Sequence, residues 1–388
     1  MRSREKSAAL RQSIVRILHI SSASTFGGGE RHLADLVNAL AGRGHEIHVA
    51  LRPASPLRET LAALPTENII TLALRNALDL PSASKLSRII RQRRIEVIHA
   101  HLARDYSLAA FALRAARAQV QLVVTRHVMF PLGRVHAMTL AGATHVIAVS
   151  APVARALRAQ NLFPSNKIRV IPNGVNVDRF ASQDGNFDSE TFRQGIAKEA
   201  RFLIGTIGEL SHVKGQEDFI RAAAFITHGC ADRIDFVIAG EDSSTAGQTR
   251  ARLAKLADEL GIGDRIHFLG KRNDVPALLA ALDIFVSPSR SEAFGLAMVE
   301  AMVASVPVIA TATEGAREII TDNETGRLVP VGDPEALADA TLTLIADVAM
   351  RAHLTESARA MAIERFSIDR MIKATEQVYC EAVAGQTK

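Results

Sequence analysis

Two carboxylates, Glu292 and Glu300, stand eight residues apart in the segment Glu292-Ala-Phe294-Gly295-Leu296-Ala-Met-Val-Glu300-Ala-Met302. Gly295 permits close approach of backbone to a ligand, and a helix is expected to begin about there, after the turn Ser287-Pro288-Ser289. The first amides of a helix have no partner within it, and the helix dipole favours an anion at that end. Eight residues of helix span ~12 Å, so the two carboxylates could reach opposite ends of an elongated ligand with phosphates between them. Each carboxylate oxygen accepts hydrogen bonds, which suits sugar hydroxyls. A surface helix with two solvated glutamates has the same spacing.

A second candidate is Gly205-Thr-Ile207-Gly208-Glu209-Leu210-Ser-His-Val-Lys214-Gly215. A strand enters a loop, and Lys214 beside Gly215 precedes a helical stretch, which places an ammonium where it can balance diphosphate charge. A purely structural Lys-Gly helix start is the alternative. The third is Gly27-Gly28-Gly29-Glu30 after the first strand, whose bare backbone can approach a phosphate or sugar or can simply turn. It lacks the G-x-G-x-x-G spacing of dinucleotide dehydrogenases, and no acidic residue clearly ends the second strand, so a nicotinamide cofactor is disfavoured. His101 and His127 each follow a predicted strand and should fall at its carboxyl end. A lone histidine there is more often a structural hydrogen-bonder than a catalytic group. Arg126 beside His127 adds a prospect of anion contact.

These residues must be positioned by the elements around them. Residues 15–20 read as a buried strand, and 30–42 carries Leu33, Leu36, Val37 and Leu40 at helical spacing. Residues 46–51, 96–100, 121–125 and 145–149 are further strands with helical stretches between. This alternation implies a parallel sheet covered on both faces. The pattern restarts after 168–171 and the turn Pro172-Asn173-Gly174. Strands are then expected over 202–207, 235–239, 265–268, 283–286 and 307–310, with helices over 218–224, 249–260 and 296–302. From Pro334 onward the chain is mostly helical. With 388 residues the chain exceeds one compact core. The expected organisation is a flexible basic tail (1–13), a Rossmann-like domain (14–180), a linker region (181–200), a second Rossmann-like domain (201–365) and a C-terminal helix (366–388). Ligands in such α/β folds sit beyond the carboxyl ends of the strands.

Composition narrows the partners. The net charge of +5 conceals a first 180 residues at +15 and a remainder at −10. A basic first half points to an anionic partner, and Arg88, Arg91, Arg93 and Arg94 are its densest cluster. A solvated helix face explains that cluster equally well. Aromatic residues make up only 4% of the chain and no stacking motif occurs, so no nucleic-acid partner is expected, and a membrane or lipid-linked partner is preferred. No apolar run approaches the ~18 residues of a membrane span. The polar start argues against a cleaved signal peptide, so a cytoplasmic location, peripheral on the inner face of the membrane, is expected. Cys230 and Cys380 match no metal or redox spacing and read as reduced, partly buried thiols. The histidines show no H-E-x-x-H or paired-ligand pattern, so no metal is expected.

Taken together and in this order, the segments resemble glycosyltransferase family 4, a retaining family with the GT-B fold. The resemblance runs from about Arg16 to Tyr379. It rests on Gly27 to Glu30, Ile171-Pro-Asn173-Gly174-Val175, Lys214-Gly215, Ala239-Gly240-Glu241, Glu292 to Met302 and Glu314-Gly315-Ala-Arg-Glu318. It implies α/β architecture: two Rossmann-like, doubly wound parallel-sheet domains facing each other across a cleft, with the C-terminal helix crossing back to the first. It also implies transfer of a sugar from a UDP- or GDP-sugar to a glycan or lipid-linked acceptor of the cell envelope, with no cofactor or metal. Glu300 would bind the ribose hydroxyls and Glu292 those of the donor sugar. The amides near Phe294, Gly295 and Leu296 would meet the diphosphate, and Lys214 would neutralise it as it leaves. Gly270, Lys271 and Arg272 would lie near the base. His127 would face the donor sugar, and Gly28 and Gly29 would close over the donor or guide the acceptor. Glu30, His101, Arg126, Arg91 and Arg94 are the candidates on the acceptor or membrane side.

The chain departs from the family pattern in places. Glu209 stands where Arg is common, with Arg290 or Arg272 as candidates to compensate. Glu314 replaces the first of two usual glycines, Ser305 and Val306 stand in a stretch often bearing glycine, and Asn176 takes the place of a frequent Asp. The competing expectation is a glycosyltransferase-like binding or scaffold protein without transfer activity.

Overall fold

Short β-branched runs pair side by side into two parallel sheets, each closed by its own helices. The computed structural model describes residues 14–181 and 189–385; the expected tail (1–13) and part of the expected linker (182–188) lie outside them. The first sheet contains β1 (Arg16–Ser21), β2 (Glu46–Leu51), β3 (Ile69–Thr71), β4 (Val97–Ala100), β5 (Gln121–Arg126), β6 (His145–Ala148) and β7 (Ile168–Val170), in the order β3-β2-β1-β4-β5-β6-β7. The second contains β8 (Phe202–Ile207), β9 (Ile234–Ala239), β10 (Ile266–Gly270), β11 (Ile284–Ser287), β12 (Val308–Thr311) and β13 (Arg327–Val329), in the order β10-β9-β8-β11-β12-β13. All neighbours run parallel. The expected fold class holds. The edge strands β3 and β13, three residues each, are additions to it; runs that short carry no readable periodicity.

Both sheets are buried on two faces, so their central strands are apolar throughout rather than alternating. Ile17, Leu18 and Ile20 of β1 and Leu203 and Ile204 of β8 are fully buried. The helix Gln216–Gly229 turns Phe219, Ile220, Ala223 and Ile226 inward and packs on the helix Pro334–Ala346. The glycine segment is a helix start rather than a loop. The helix Gly28–Gly42 begins within it, and the Glu30 carboxylate accepts the Gly27 N–H at 3.0 Å. That carboxylate also suits the positive end of the helix dipole.

Within the expected linker region, Ser189–Ala197 is helical. Phe192 and Ile196 lie one turn apart on it, and Arg193 donates to Asp283 at 2.8 Å, so the segment is tied to the second sheet. The chain divides into a first unit, residues 1–173 with 369–388, and a second unit, 174–368. The C-terminal helix Ile368–Ala384 thus belongs to the first unit from Asp369 on. Its Glu376 pairs with Arg43 at 2.8 Å and His45 at 2.9 Å, and its Tyr379 is fully buried. The second unit closes on itself at its ends: Val175 N–H donates to Phe366 C=O at 2.8 Å, and Ile368 N–H donates to Val175 C=O at 2.9 Å. Cys230 and Cys380 are half-buried and form no disulfide with each other.

Candidate active site

In the second sheet the strand order reverses between β8 and β11, so the loops after them depart in opposite directions and leave a crevice at their carboxyl ends. Loop 208–215 follows β8 and loop 288–295 follows β11. They meet through an ion pair, Lys214 Nζ to Glu292 Oε2 at 2.6 Å, to which Ser289 Oγ donates at 3.3 Å. The backbones hold the pair in place. Arg290 N–H donates to Val213 C=O at 2.8 Å, and Gly215 has φ +70°, with a Cβ there falling 2.0 Å from the Pro288 oxygen. No side chain can replace that hydrogen without parting the two loops. Gly208 leaves room for the Lys214 stem, whose Cδ lies 3.5 Å from where a Cβ would stand.

The helix Leu296–Val303 starts at Gly295, where φ is +107°. Glu292 therefore sits just before the helix and Glu300 within it, as expected from the spacing. Gly315 N–H donates to Glu292 C=O at 3.1 Å, and a Cβ on Gly315 would fall 2.6 Å from that oxygen. The glycine kept from the usual pair is thus the one in contact with the Glu292 loop. The Phe294 ring is buried edge-on against Phe366, with centroids 5.5 Å apart, so only the backbone of Phe294 is left for a ligand.

Neither arginine suggested as a substitute at position 209 is held for that purpose. Arg290 makes a two-pronged pair with buried Asp218, at 2.9 and 2.8 Å, and also contacts His212. Arg272 donates to Asp274 at 2.8 Å and lies over the Phe192 ring. Lys271 pairs with Glu241 at 3.3 Å, and Gly270 ends β10 with open space where a side chain would stand. Glu209 is exposed.

The first sheet reverses its order between β1 and β4, and there the chain gathers histidines. His19 of β1 stands in register with His99 of β4. His99 and His101, two residues apart, share a direction, with ring centroids 4.1 Å apart. His32 comes from the helix Gly28–Gly42, and His127 follows β5; their rings lie 5.0 Å apart, edge to face. His19 Nδ1 is 3.1 Å from His101 Nε2. His99 is bonded on both sides, to the Tyr379 hydroxyl at 2.5 Å and to the Thr125 hydroxyl at 2.6 Å. Burial disfavours the charged form of every ring in this group. It lowers His19 to about 3 and His32 to about 4, and takes His99, His101 and His127 well below the usual histidine value, with the neighbouring rings adding to the effect on most of them. Asp105, buried while accepting the Ser22 N–H at 2.9 Å, is pushed up to about 6 by desolvation.

His101 and His127 are legible in the sequence as strand-end residues, whereas His19 and His99 lie inside strands. The matched positions of His19 and His99 in two neighbouring strands were the available signal. Gly29 lies against His127, 3.7 Å from where its Cβ would stand. Arg126 is corrected: it is buried, and its guanidinium donates to the Phe130 carbonyl, so it braces the loop after β5 instead of facing a partner. Arg91 and Arg94 are exposed; Arg91 donates to Ala115 C=O at 3.3 Å, and Arg94 C=O accepts from Arg16 at 2.7 Å.

The glycosyl transferases group 1 model matches residues 188–361, and the glycosyltransferase family 4 model matches residues 26–179. The chain belongs to glycosyltransferase family 4. Over 94% of its length it is 26% identical to the N-acetyl-alpha-D-glucosaminyl L-malate synthase of Bacillus anthracis, covering 96% of that protein. It is 28% identical to the lipopolysaccharide core biosynthesis glycosyltransferase LpsE of Rhizobium meliloti (strain 1021), over 91% of this chain and 95% of the relative. The crystal structure of Anabaena Alr3699/HepE in complex with UDP and glucose superposes with a TM-score of 0.84 at 25% identity, covering 95% of this chain and all of the other. The protein is a glycosyltransferase with two Rossmann-like parallel-sheet units of the GT-B class. Among its described residues no helix is long and apolar enough to cross a membrane.

Proposed function

We propose that this glycosyltransferase moves a sugar, with retention, from a nucleoside-diphosphate donor held by the second unit to a glycan or lipid-linked acceptor. The observation that carries the reading is the Lys214–Glu292 pair at the strand-order reversal, beside the start of the helix Leu296–Val303. A positive side chain and a helix N-terminus together suit a diphosphate. Glu292 and Glu300 take hydroxyls of the sugar and ribose, and the segment from Gly270 to Arg272 lies by the base. Because Lys271 and Arg272 are paired within the fold, the base contact falls to backbone there. The solved relative with UDP and glucose supports a nucleotide-sugar donor.

In the transfer step the bond from the anomeric carbon to the leaving phosphate oxygen breaks, and the acceptor oxygen bonds to that carbon on the same face. The acceptor proton passes to the departing phosphate, so no protein nucleophile is needed. Negative charge grows on the diphosphate as the bond opens, and fixed donors aimed at it lower the barrier most. Lys214 and the amides from Phe294 to Leu296 are those donors, and the scheme calls on no divalent metal.

Titration calorimetry with UDP, GDP and ADP in EDTA tests the donor site. One nucleotide is expected to bind, at least about tenfold more weakly to Glu300→Ala and to Lys214→Ala, a loss of about 1.4 kcal/mol. If none of the three binds, the scaffold reading takes over, with the exposed Glu209 as its cause.

An envelope role rests on the lipopolysaccharide-core relative and on the exposed arginines of the helix Leu80–Gln92 and the turn after it. Flotation should then show binding to anionic vesicles at low salt that fades at high salt and weakens in the Arg91→Ala/Arg94→Ala double variant. Equal flotation with neutral vesicles would remove the membrane from the proposal.

A further inference from the structure

We propose that His32, His101 and His127 form a three-imidazole site for a d-block divalent cation, with zinc as the first candidate. The three residues come from a helix, the end of β4 and the loop after β5, so no spacing in the chain announces them. One ligand nitrogen from each lies within 4.8 Å of the other two. Those rings carry four buried nitrogens with no hydrogen-bond partner: Nδ1 of His32, Nδ1 of His101, and both nitrogens of His127. Leaving a buried polar atom unpaired costs about 1–3 kcal/mol, and native proteins keep few such atoms. Three rings that each carry an unpartnered nitrogen and lie this close together are what a shared ligand explains.

The outer contacts fit as well. Metal-bound histidines are oriented by a partner on the other ring nitrogen. His101 meets His19 at 3.1 Å through its Nε2. His99 is not a ligand, because hydroxyls already occupy both of its nitrogens. Bonds of ~2.0–2.1 Å in a tetrahedron set nitrogens about 3.4 Å apart, inside the 4.8 Å within which these atoms lie. Three protein ligands leave a fourth position for water or an anion. Imidazoles suit zinc, copper, nickel and cobalt, whereas magnesium and calcium prefer oxygen. Zinc on these imidazoles is thus distinguished from magnesium on a phosphate by its ligands, and its binding can be read without the transfer reaction.

The test is equilibrium dialysis of the EDTA-stripped full chain against micromolar Zn²⁺ or Co²⁺. One zinc per chain is expected, unaffected by millimolar Mg²⁺, and the cobalt form should show the intense visible bands of low coordination. His101→Gln and His127→Gln should each weaken zinc binding at least tenfold, and His228→Gln, on the helix Gln216–Gly229, should leave it unchanged. Zinc-edge X-ray absorption on the unaltered chain guards against variants that misfold, with a nitrogen and oxygen shell containing three imidazoles as the supporting result. Sub-stoichiometric zinc, sulfur in the shell, or unchanged affinity in a folded His101→Gln/His127→Gln double variant would overturn the site.

Discussion

Replacing Lys214 with alanine is expected to slow sugar transfer by about 10²–10³-fold, the usual cost of removing one fixed donor aimed at developing charge. That is about 3–4 kcal/mol of barrier. The ammonium is held 2.6 Å from Glu292, so it is already in place when the diphosphate begins to leave. Stability should barely change. The pair is partly solvated, with the lysine side chain 33% exposed, and such pairs contribute about 0–1 kcal/mol. Steady-state donor turnover and thermal melting, measured together, separate the two effects. A variant that keeps its turnover would remove Lys214 from the chemistry. A variant that melts early would assign it to the fold.

Acidification from pH 7 to pH 5 should open the first unit and leave the second intact. A histidine held neutral by burial binds fewer protons folded than unfolded. Its contribution is therefore complete above about 6.5 and is lost as pH falls toward the folded value. With folded values of about 3 and 4, His19 and His32 each forfeit about 2 kcal/mol over that interval. Asp105, raised to about 6, works in the opposite sense and returns about 1 kcal/mol. The histidines win even before His99, His101 and His127 are counted. In the second unit, Asp235 and Asp274 have lowered values, so their contribution is lost only below about 4, outside the interval. Amide hydrogen exchange in EDTA reads this strand by strand. Protection in β1, β4 and β5 should fall while β8 and β11 hold. Equal protection of β1 and β4 at the two pH values would mean that the rings are solvated.

How much was legible in the chain follows from how local each signal is. Central strands are buried on both faces and show as unbroken apolar runs, so β1, β8 and β11 were readable to within a residue. Glu292, Gly295 and Glu300 were readable because strand, turn and helix follow one another directly. The pairing of Lys214 with Glu292 spans 78 residues and is produced by the strand-order reversal, which no local pattern encodes. Arg126 as an anion contact and Arg272 as a substitute cation are expectations from charge alone, which says nothing of which partner claims it; a carbonyl claims one and Asp274 the other. The histidine cluster was half visible, since strand ends draw attention and strand interiors such as His19 and His99 do not.

The mutual pairing of Val175 with the helix-end residues Phe366 and Ile368 has a consequence for the order in which the protein is made. The second unit is one unbroken stretch whose ends meet, so everything it requires has been synthesised by residue 368. The first unit begins earlier and finishes later. Until the last twenty residues emerge, His99 lacks the Tyr379 hydroxyl, and Arg43 and His45 lack Glu376. The half of the chain that is translated first is thus the half that folds to completion last. A released chain truncated after residue 368 should contain a finished second unit attached to a first unit that still lacks its closing helix.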